Sequence, residues 1–506
     1  MLLIPRAYQL AIYNSIMQNG NTLVILPTGL GKTLISLMLI KEKMKNGKCL
    51  LLTPTKPLAK QHFETTKREL ETDNIALITG EKNVQTRIKE YKNSIIIATP
   101  QTIANDIKNN VLEPDFALCV FDESHRAVKN YAYTFVANAL KKKSLIVGLT
   151  ASPGGKRDKI QEVVKALNIT NIEIRTIDDP DVKQYVQKSE MTWLTTELSP
   201  TLLLIKRQLD NLTSKHARML GGMGFPPPLK NKGEFLKMRQ KIMDIPNDIK
   251  YRAIVHYTIL LNLLHMTELV ETQGLFALRE YIKKLNEKEG KSAKVLLSET
   301  EFNEVINLAN TQSVEDHPKL RLLLNLMQRL KDKKIIIFAQ YRDQIKLLED
   351  QLNKNNFVSK QFVGKKDGVT RKIQEQTIDD FRSGVFNILV ASSIGEEGLD
   401  IPSVDAVIFY EPVPSEIRSI QRRGRAARLK KGEIYILMTK GTRDEYYYWS
   451  AINKEKKMKS IVGTMRTSFE IDRKKKEIKS EQTEENKNAN ETAQLKKGQS
   501  SMADFF

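Results

Sequence analysis

The stretch Thr22-Leu-Val-Ile-Leu-Pro-Thr-Gly-Leu-Gly-Lys-Thr33 decides the fold. Thr22–Leu26 is apolar with a β-branched centre and reads as a short buried strand; Leu34–Ile40 continues as a helix. Between them, Thr28, Gly29, Leu30 and Gly31 form a loop in which glycines let backbone N–H groups converge on a phosphate without Cβ interference. The helix that follows presents its positive end to the same anion. Lys32 reaches terminal phosphates, and the Thr33 hydroxyl is placed to ligate Mg²⁺. The longer form of this loop carries a glycine where this chain has Leu26, so the match is to a shorter variant. A nucleotide phosphate with Mg²⁺ is the ligand expected.

Working outward, Arg6, Tyr8 and Gln9 precede the loop, and the Gln9 carboxamide can read an adenine edge because it offers both a donor and an acceptor. Downstream, Cys49–Thr53, Ile75–Ile78, Ser94–Ala98, Ala117–Phe121 and Leu145–Leu149 read as strands separated by helix-length segments. That alternation predicts a doubly wound parallel sheet over residues 1–185, with ligands at the strand carboxyl ends. Phe121-Asp122-Glu123-Ser124-His125 ends one strand with two carboxylates. Asp122 would hold Mg²⁺ through water, and Glu123 would orient or deprotonate the attacking water. Thr150-Ala-Ser152 leaves the next strand with hydroxyls that could link the carboxylates to the opposite domain.

Residues 186–315 read as a helical insertion, with helical patterns at Leu202–Leu212, Ile249–Leu269, Leu275–Leu285 and Glu301–Leu308. A glycine- and proline-rich loop, 221–228, interrupts them. Alternation returns over 316–464: helix Lys319–Leu330, then strands Lys334–Phe338, Asn387–Ala391, Ala406–Phe409 and Glu433–Leu437. The fold class is thus α/β, two parallel-sheet domains with a helical domain between them. Residues 465–506 are too polar to bury a core and read as a disordered tail.

The formal net charge of +21 favours a polyanionic partner, most simply nucleic acid. Cys49 and Cys119 lie in apolar runs and read as buried thiols of a reducing compartment. Six scattered histidines offer no metal-ligand spacing. No apolar stretch approaches the length of a membrane span, and no signal layout opens the chain, so a soluble, cytoplasmic protein with no membrane partner is expected.

In the second α/β domain, Gln421-Arg-Arg-Gly-Arg-Ala-Ala-Arg428 puts Arg425 and Arg428 on one helix face. Two guanidinium groups reaching across a cleft would neutralise charge on a transferring phosphoryl group. Ser392-Ser-Ile-Gly395-Glu-Glu-Gly398-Leu-Asp400 leaves a buried strand. Gly395 lets a nucleic-acid backbone approach, and Asp400 can face the ribose or the arginines. Thr53, Thr55 and Lys56 with Gln61, then Thr79 and Gly80, Thr99 and Gln101, Gln340 and Arg342, and Ser392 sit where strands end. Hydroxyls, amides and cations there suit phosphates and do not read bases.

Together Arg6/Gln9, Pro27–Thr33, Thr53-Pro-Thr-Lys-Pro-Leu58, Asp122–His125, Thr150–Ser152, Gly395–Asp400 and Gln421–Arg425 resemble, in order, the motif set of superfamily 2 helicases. The resemblance brings His125 and Gln421 into the catalytic set and Gly398 and Asp400 to the nucleotide. It makes each sheet a RecA-like domain. The helical insertion and Arg175–Tyr185 resemble the archaeal Hef helicases, related to the Fanconi anaemia group M and yeast Mph helicases. Two departures stand out: Ser124 replaces an alanine, and Ala427 replaces a glycine, which weakens the carry-over to Arg428. Hef proteins continue into a nuclease; none is read in this chain, and a separate nuclease is an expected partner. At the C-terminus Gln499, Met502, Phe505 and Phe506 have the spacing of the motif by which replication proteins bind the sliding clamp, an apolar plug on a polar tether.

The resemblance implies an ATP-dependent DNA helicase or translocase with 3′ to 5′ polarity. It would act on forked or branched DNA in replication and repair, tethered to the clamp. The competing readings are a motor directed to double-stranded RNA, since innate-immune RNA sensors and Dicer helicases share the insertion, and an ATP-gated DNA-binding scaffold that separates no strands.

Overall fold

The computed structural model describes residues 4–471 apart from 141–143, 155, 178, 186–189, 230, 246, 311–315, 365–368, 393–401, 403, 414 and 416–431. The chain divides into two units: residues up to Tyr185 together with those from Asn453 onward, and Val186–Ile452.

The first unit is built on seven strands: β1 Thr22–Ile25, β2 Cys49–Leu52, β3 Ile75–Ile78, β4 Ile95–Ala98, β5 Leu118–Phe121, β6 Leu145–Thr150 and β7 Asn171–Ile174. All pair in parallel, in the order β3-β4-β2-β5-β6-β1-β7. Parallel strands need crossovers that cover both faces with helices. Hence the interior strands are apolar on both sides, and Ile95, Ile96 and Ile97 are all fully buried. Because every strand points the same way, every carboxyl end opens on one rim. Along that rim the loops after β5, β6 and β1 are neighbours, and so are the loops after β3, β4 and β2.

The second unit holds β8 Glu190–Thr196, β9 Ile335–Phe338, β10 Ser359–Phe362, β11 Ile388–Ala391, β12 Ala406–Phe409 and β13 Glu433–Thr439, again all parallel, in the order β10-β11-β9-β12-β13-β8. Between β8 and β9 lies the helical domain, with long helices Pro200–Gly222 and Asn247–Thr272 at its centre. Their facing stripes, Leu202, Ile205, Leu209 and Leu212 against Ile259, Leu263, Met266 and Val270, form a closed apolar core. The domain is fastened to the second sheet by polar side chains. The Tyr447 and Tyr341 hydroxyls donate to Glu268 at 3.0 and 3.3 Å, and Arg443 donates to the Leu264 carbonyl at 3.0 Å. Beneath them, Lys319 and Asp444 form a 2.8 Å ion pair with both side chains fully buried, and the Lys319 ammonium lies 4.9 Å from the Tyr410 ring centre.

Four expectations need correction. Glu190–Thr196, inside the expected helical domain, is a strand of the second sheet. Residues 453–464, expected with the second α/β domain, group with the first unit, and the helix they belong to runs on to 471, into the expected tail. Strands β7 and β10 were not anticipated. Finally, Ile249–Thr272 is long and apolar enough to cross a membrane; 56% of its apolar window is buried inside the protein, as the central helix of a bundle requires.

Candidate nucleotide and nucleic-acid site

The loop after β1 is shaped by two left-handed glycines, Gly29 at φ +86° and Gly31 at φ +81°. Gly31 caps helix Lys32–Lys43, so the helix's first amides open onto the loop. A Cβ on Gly31 would stand 2.2 Å from Gln9 Nε2. That close approach exists because the Leu30 carbonyl accepts from both Gln9 Nε2 at 3.0 Å and the Tyr8 hydroxyl at 2.8 Å. Gln9 Oε1 in turn accepts from the Arg6 amide at 2.8 Å. The carboxamide expected to read adenine therefore also pins the phosphate loop. Arg6 leans over the Tyr185 ring, 4.9 Å to its centre. The Lys32 ammonium donates to the Leu26 carbonyl at 3.0 Å, folded back over the loop.

Asp122 and Glu123 leave β5, the strand separated from β1 only by β6. Asp122 is buried; its Oδ1 accepts from the Glu123 amide at 3.0 Å and its Oδ2 from His62 Nε2 at 3.1 Å. Burial by itself would raise its pKa. The hydrogen bond and electrostatic pull of His62, the Lys32 charge and the Glu123 amide outweigh that and hold the carboxyl below its ordinary range. Tyr133 fixes the main chain, donating to the Asp122 carbonyl at 2.6 Å and the Leu52 carbonyl at 3.2 Å. Glu123 sits at φ +48°, a left-handed conformation that costs a non-glycine residue about 1–3 kcal/mol and clusters at functional sites. His125 Nδ1 lies 3.3 Å from Glu123 Oε2, without the alignment of a hydrogen bond, and 3.2 Å from the Thr150 hydroxyl. The Thr150 hydroxyl donates to the Ser152 carbonyl at 3.0 Å, and the Ser152 hydroxyl donates to Met458 Sδ at 2.9 Å. Ser124 is fully buried and packs closely on Gly148, where an added Cβ would meet the Ser124 Cβ and Oγ at 3.1 Å.

Glycine-shaped amides at a helix start, a cation able to leave one carbonyl for a phosphate, a half-buried Thr33 beside them and a buried ionised carboxylate fit a nucleoside triphosphate with a divalent cation. Thr33 and Asp122 are the residues that would hold the metal.

The nominated backbone contacts occupy the other half of the same rim, after β2, β3 and β4. Their side chains are less available than their positions suggest. Thr53, Thr79 and Thr99 are buried, with the Thr53 hydroxyl donating to the Thr55 carbonyl at 3.1 Å and the Thr99 and Thr102 hydroxyls 2.9 Å apart. Lys56 pairs with Glu81 at 2.9 Å, while Gly80 and Gln101 are exposed. In the second sheet Gln340 donates its amide to Glu411, Arg342 Nη2 donates to the Gly364 carbonyl at 2.6 Å, and the Ser392 amide bonds the Phe362 carbonyl at 3.0 Å. Gly395, Gly398, Asp400, Gln421, Arg425, Arg428, Gln499, Met502, Phe505 and Phe506 lie outside the described residues. His62 and Tyr133 were missed, because nothing local in sequence joins them to Asp122.

Comparison with known proteins follows the same division. Residues 2–155 match the family described as "Type III restriction enzyme, res subunit", 318–430 the "Helicase conserved C-terminal domain", and 217–317 a helical bundle described as that of a "Putative ATP-dependent RNA helicase". A Methanocaldococcus jannaschii protein carrying that last description as its own name is 38% identical over 484 residues, covering 92% of this chain and 62% of that protein. The Pyricularia oryzae ATP-dependent DNA helicase MPH1 is 34% identical over 505 residues, covering 90% of this chain and 46% of that protein. The chain therefore spans less than two thirds of either relative. The crystal structure of the Pyrococcus furiosus Hef helicase domain superposes with a TM-score of 0.68 at 41% identity, covering 88% of this chain and 98% of that one. With two parallel-sheet domains, a helical bundle between them in sequence and that likeness along nearly the whole of a solved helicase domain, the chain belongs to the superfamily 2 helicase family of Hef and Mph1.

Proposed function

We propose that the chain is an ATP-dependent DNA helicase or translocase acting on forked or branched DNA. The observation that carries the reading is the shared rim of the first sheet: loops suited to a triphosphate follow β5, β6 and β1, and loops suited to a nucleic-acid backbone follow the adjoining β2, β4 and β3. ATP bound with Mg²⁺ would supply the phosphoanhydride whose cleavage drives the cycle. Lys32 leaves the Leu26 carbonyl for a terminal phosphate. Asp122 and Thr33 would hold the metal, and Glu123, beside His125, would orient the attacking water. Arg425 and Arg428 are assigned on sequence to neutralising charge during transfer, with Gln421 beside them. Amides at Thr55, Gly80 and Gln101, with Lys56 and Arg342, grip the backbone and change their hold as nucleotide is bound and released. The basic composition supports a polyanion. Polarity of 3′ to 5′ and action in replication and repair at the nucleoid are carried by family likeness. The tether to a sliding clamp rests on the terminal Gln499–Phe506 sequence.

A panel of single strands, forks, Holliday junctions and RNA duplexes, scored for ATP turnover and strand separation with wild type and Lys32→Ala, tests the reading. Fork-stimulated turnover with ATP-dependent separation, lost in Lys32→Ala, is expected. Fork binding with no ATP-dependent activity in either protein would favour the scaffold. An RNA-directed motor is the second reading, favoured by the names of the helical-bundle family and of the Methanocaldococcus relative; stronger stimulation by RNA duplex would establish it. Deleting Gln499–Phe506 is expected to abolish clamp binding and leave ATP turnover intact.

A further inference from the structure

The carboxylate assigned to the metal is held by a side chain, His62, outside the motif stretches read from the sequence. We propose that His62 is a positioning residue for ATP hydrolysis, whose Nε2–H fixes the Asp122 carboxylate in the orientation that receives Mg²⁺. The inference rests on the nucleotide reading above.

His62 lies in helix Lys56–Leu70, which follows β2. Strand β2 pairs with β5 in the register Leu52 to Phe121, so the chain leaving β5 at Asp122 emerges beside that helix. His62 and Asp122 are 7% and 8% exposed, and the Nε2 to Oδ2 distance is 3.1 Å. Among the described residues the other ring nitrogen, Nδ1, is buried without a hydrogen-bond partner. A ring carrying its only proton on Nδ1 would bury an unpaired donor and turn a lone pair toward the carboxylate. Nε2 is therefore the donor to Asp122. A leucine would fill this space and spare the buried Nδ1, so packing does not account for the imidazole; the bond to Asp122 does. The main chain of Asp122 is already fixed by Tyr133, and Oδ1 by the Glu123 amide, which leaves the facing of Oδ2 to His62. Outer partners of this kind typically tune metal affinity or activity by 10- to 100-fold. His62 also stands at the seam of the rim: its helix begins at Thr55 and Lys56, on the nucleic-acid half, and its ring reaches the nucleotide half.

The test compares the full chain with His62→Leu and His62→Gln. Mg²⁺ is titrated against binding of a fluorescent non-hydrolysable ATP analogue and, separately, against ATP turnover. His62→Leu is expected to raise the half-saturating Mg²⁺ about tenfold or more in both titrations, with analogue affinity in EDTA unchanged. His62→Gln, whose amide nitrogen can take the place of Nε2, is expected to restore most of the shift. His62→Leu titrating like wild type, or His62→Gln shifted as far as His62→Leu, would overturn the proposal. Should His62→Leu not fold, His62→Asn, whose shorter amide cannot reach Asp122, stands in its place with the same expectation. Absence of Mg²⁺ dependence in the wild type would instead overturn the nucleotide reading.

Discussion

Replacing Gly31 by alanine tests the phosphate loop at its tightest point. Gly31 holds φ +81° and ψ +40° at the cap of helix Lys32–Lys43. A left-handed backbone costs an L-residue about 1–2 kcal/mol. The added Cβ would also stand 2.2 Å from Gln9 Nε2, so Gln9 must move off the Leu30 carbonyl, at about 1 kcal/mol for the bond it forfeits. The two terms come to about 2–3 kcal/mol. Relieved in the free protein by a shifted loop and restored on binding, they weaken ATP by at most about 30- to 140-fold. Fluorescence titration with an ATP analogue reads this directly, and the Michaelis constant for ATP should move in parallel. Gly384→Ala is the matched comparison: φ is +83°, yet nothing lies within 4 Å of its added Cβ. It should lower thermal stability by about 1 kcal/mol and leave ATP affinity alone. Wild-type ATP affinity in Gly31→Ala would refute the assignment of this loop to phosphate.

Burial, reinforced by the Lys319 charge, pushes His317 well below the ordinary histidine range, and the Glu271 carbonyl only partly offsets it. His317 is thus neutral when folded but takes up a proton below pH 6.5 when unfolded. The stability it contributes is present above that pH and falls by about 1.4 kcal/mol per unit below it. Urea unfolding across the acid side of pH 6.5 should show this slope reduced by about one proton in His317→Gln. Lys319→Met leaves the fully buried Asp444 uncompensated and should cost about 3–5 kcal/mol by denaturant unfolding; adding Asp444→Asn should recover part of it. Gly148→Ala crowds Ser124 and the Leu167 methyl at 3.1 Å and should lower stability by about 1–3 kcal/mol in thermal melts.

What the sequence made legible follows burial. Interior strand β12 was placed at its observed limits, and the other interior strands within a residue or two, because an interior parallel strand must be apolar on both faces; edge strand β3 was also placed at its limits, because Ile75-Ala-Leu-Ile78 is as apolar as an interior strand. The three strands not anticipated, β7, β8 and β10, all lie at sheet edges. There β8 exposes Thr192, Trp193 and Thr195 and β10 exposes Lys360 and Gln361 to water, while β7 alternates isoleucines with Asn171 and Glu173, buried polar side chains that hydrogen-bond to Ser15. No apolar run marks such strands. The phosphate loop and the Asp122–Glu123 pair were legible because their chemistry is local in sequence. His62 was not, because its partner lies 60 residues away and is delivered by the pairing of β2 with β5. The buried threonines at 53, 79 and 99 show the converse limit: sequence placed them at strand ends but could not tell that their side chains turn inward.

The central claim is that one sheet rim joins a nucleotide half to a nucleic-acid half. ATP turnover measured while a forked duplex is titrated into the wild-type chain and Lys32→Ala tests it most directly. Turnover in the wild type should climb to a plateau as fork sites fill, while Lys32→Ala binds the fork equally well and stays inactive. Turnover indifferent to a saturating fork, at a fork concentration that demonstrably occupies the protein, would contradict the account.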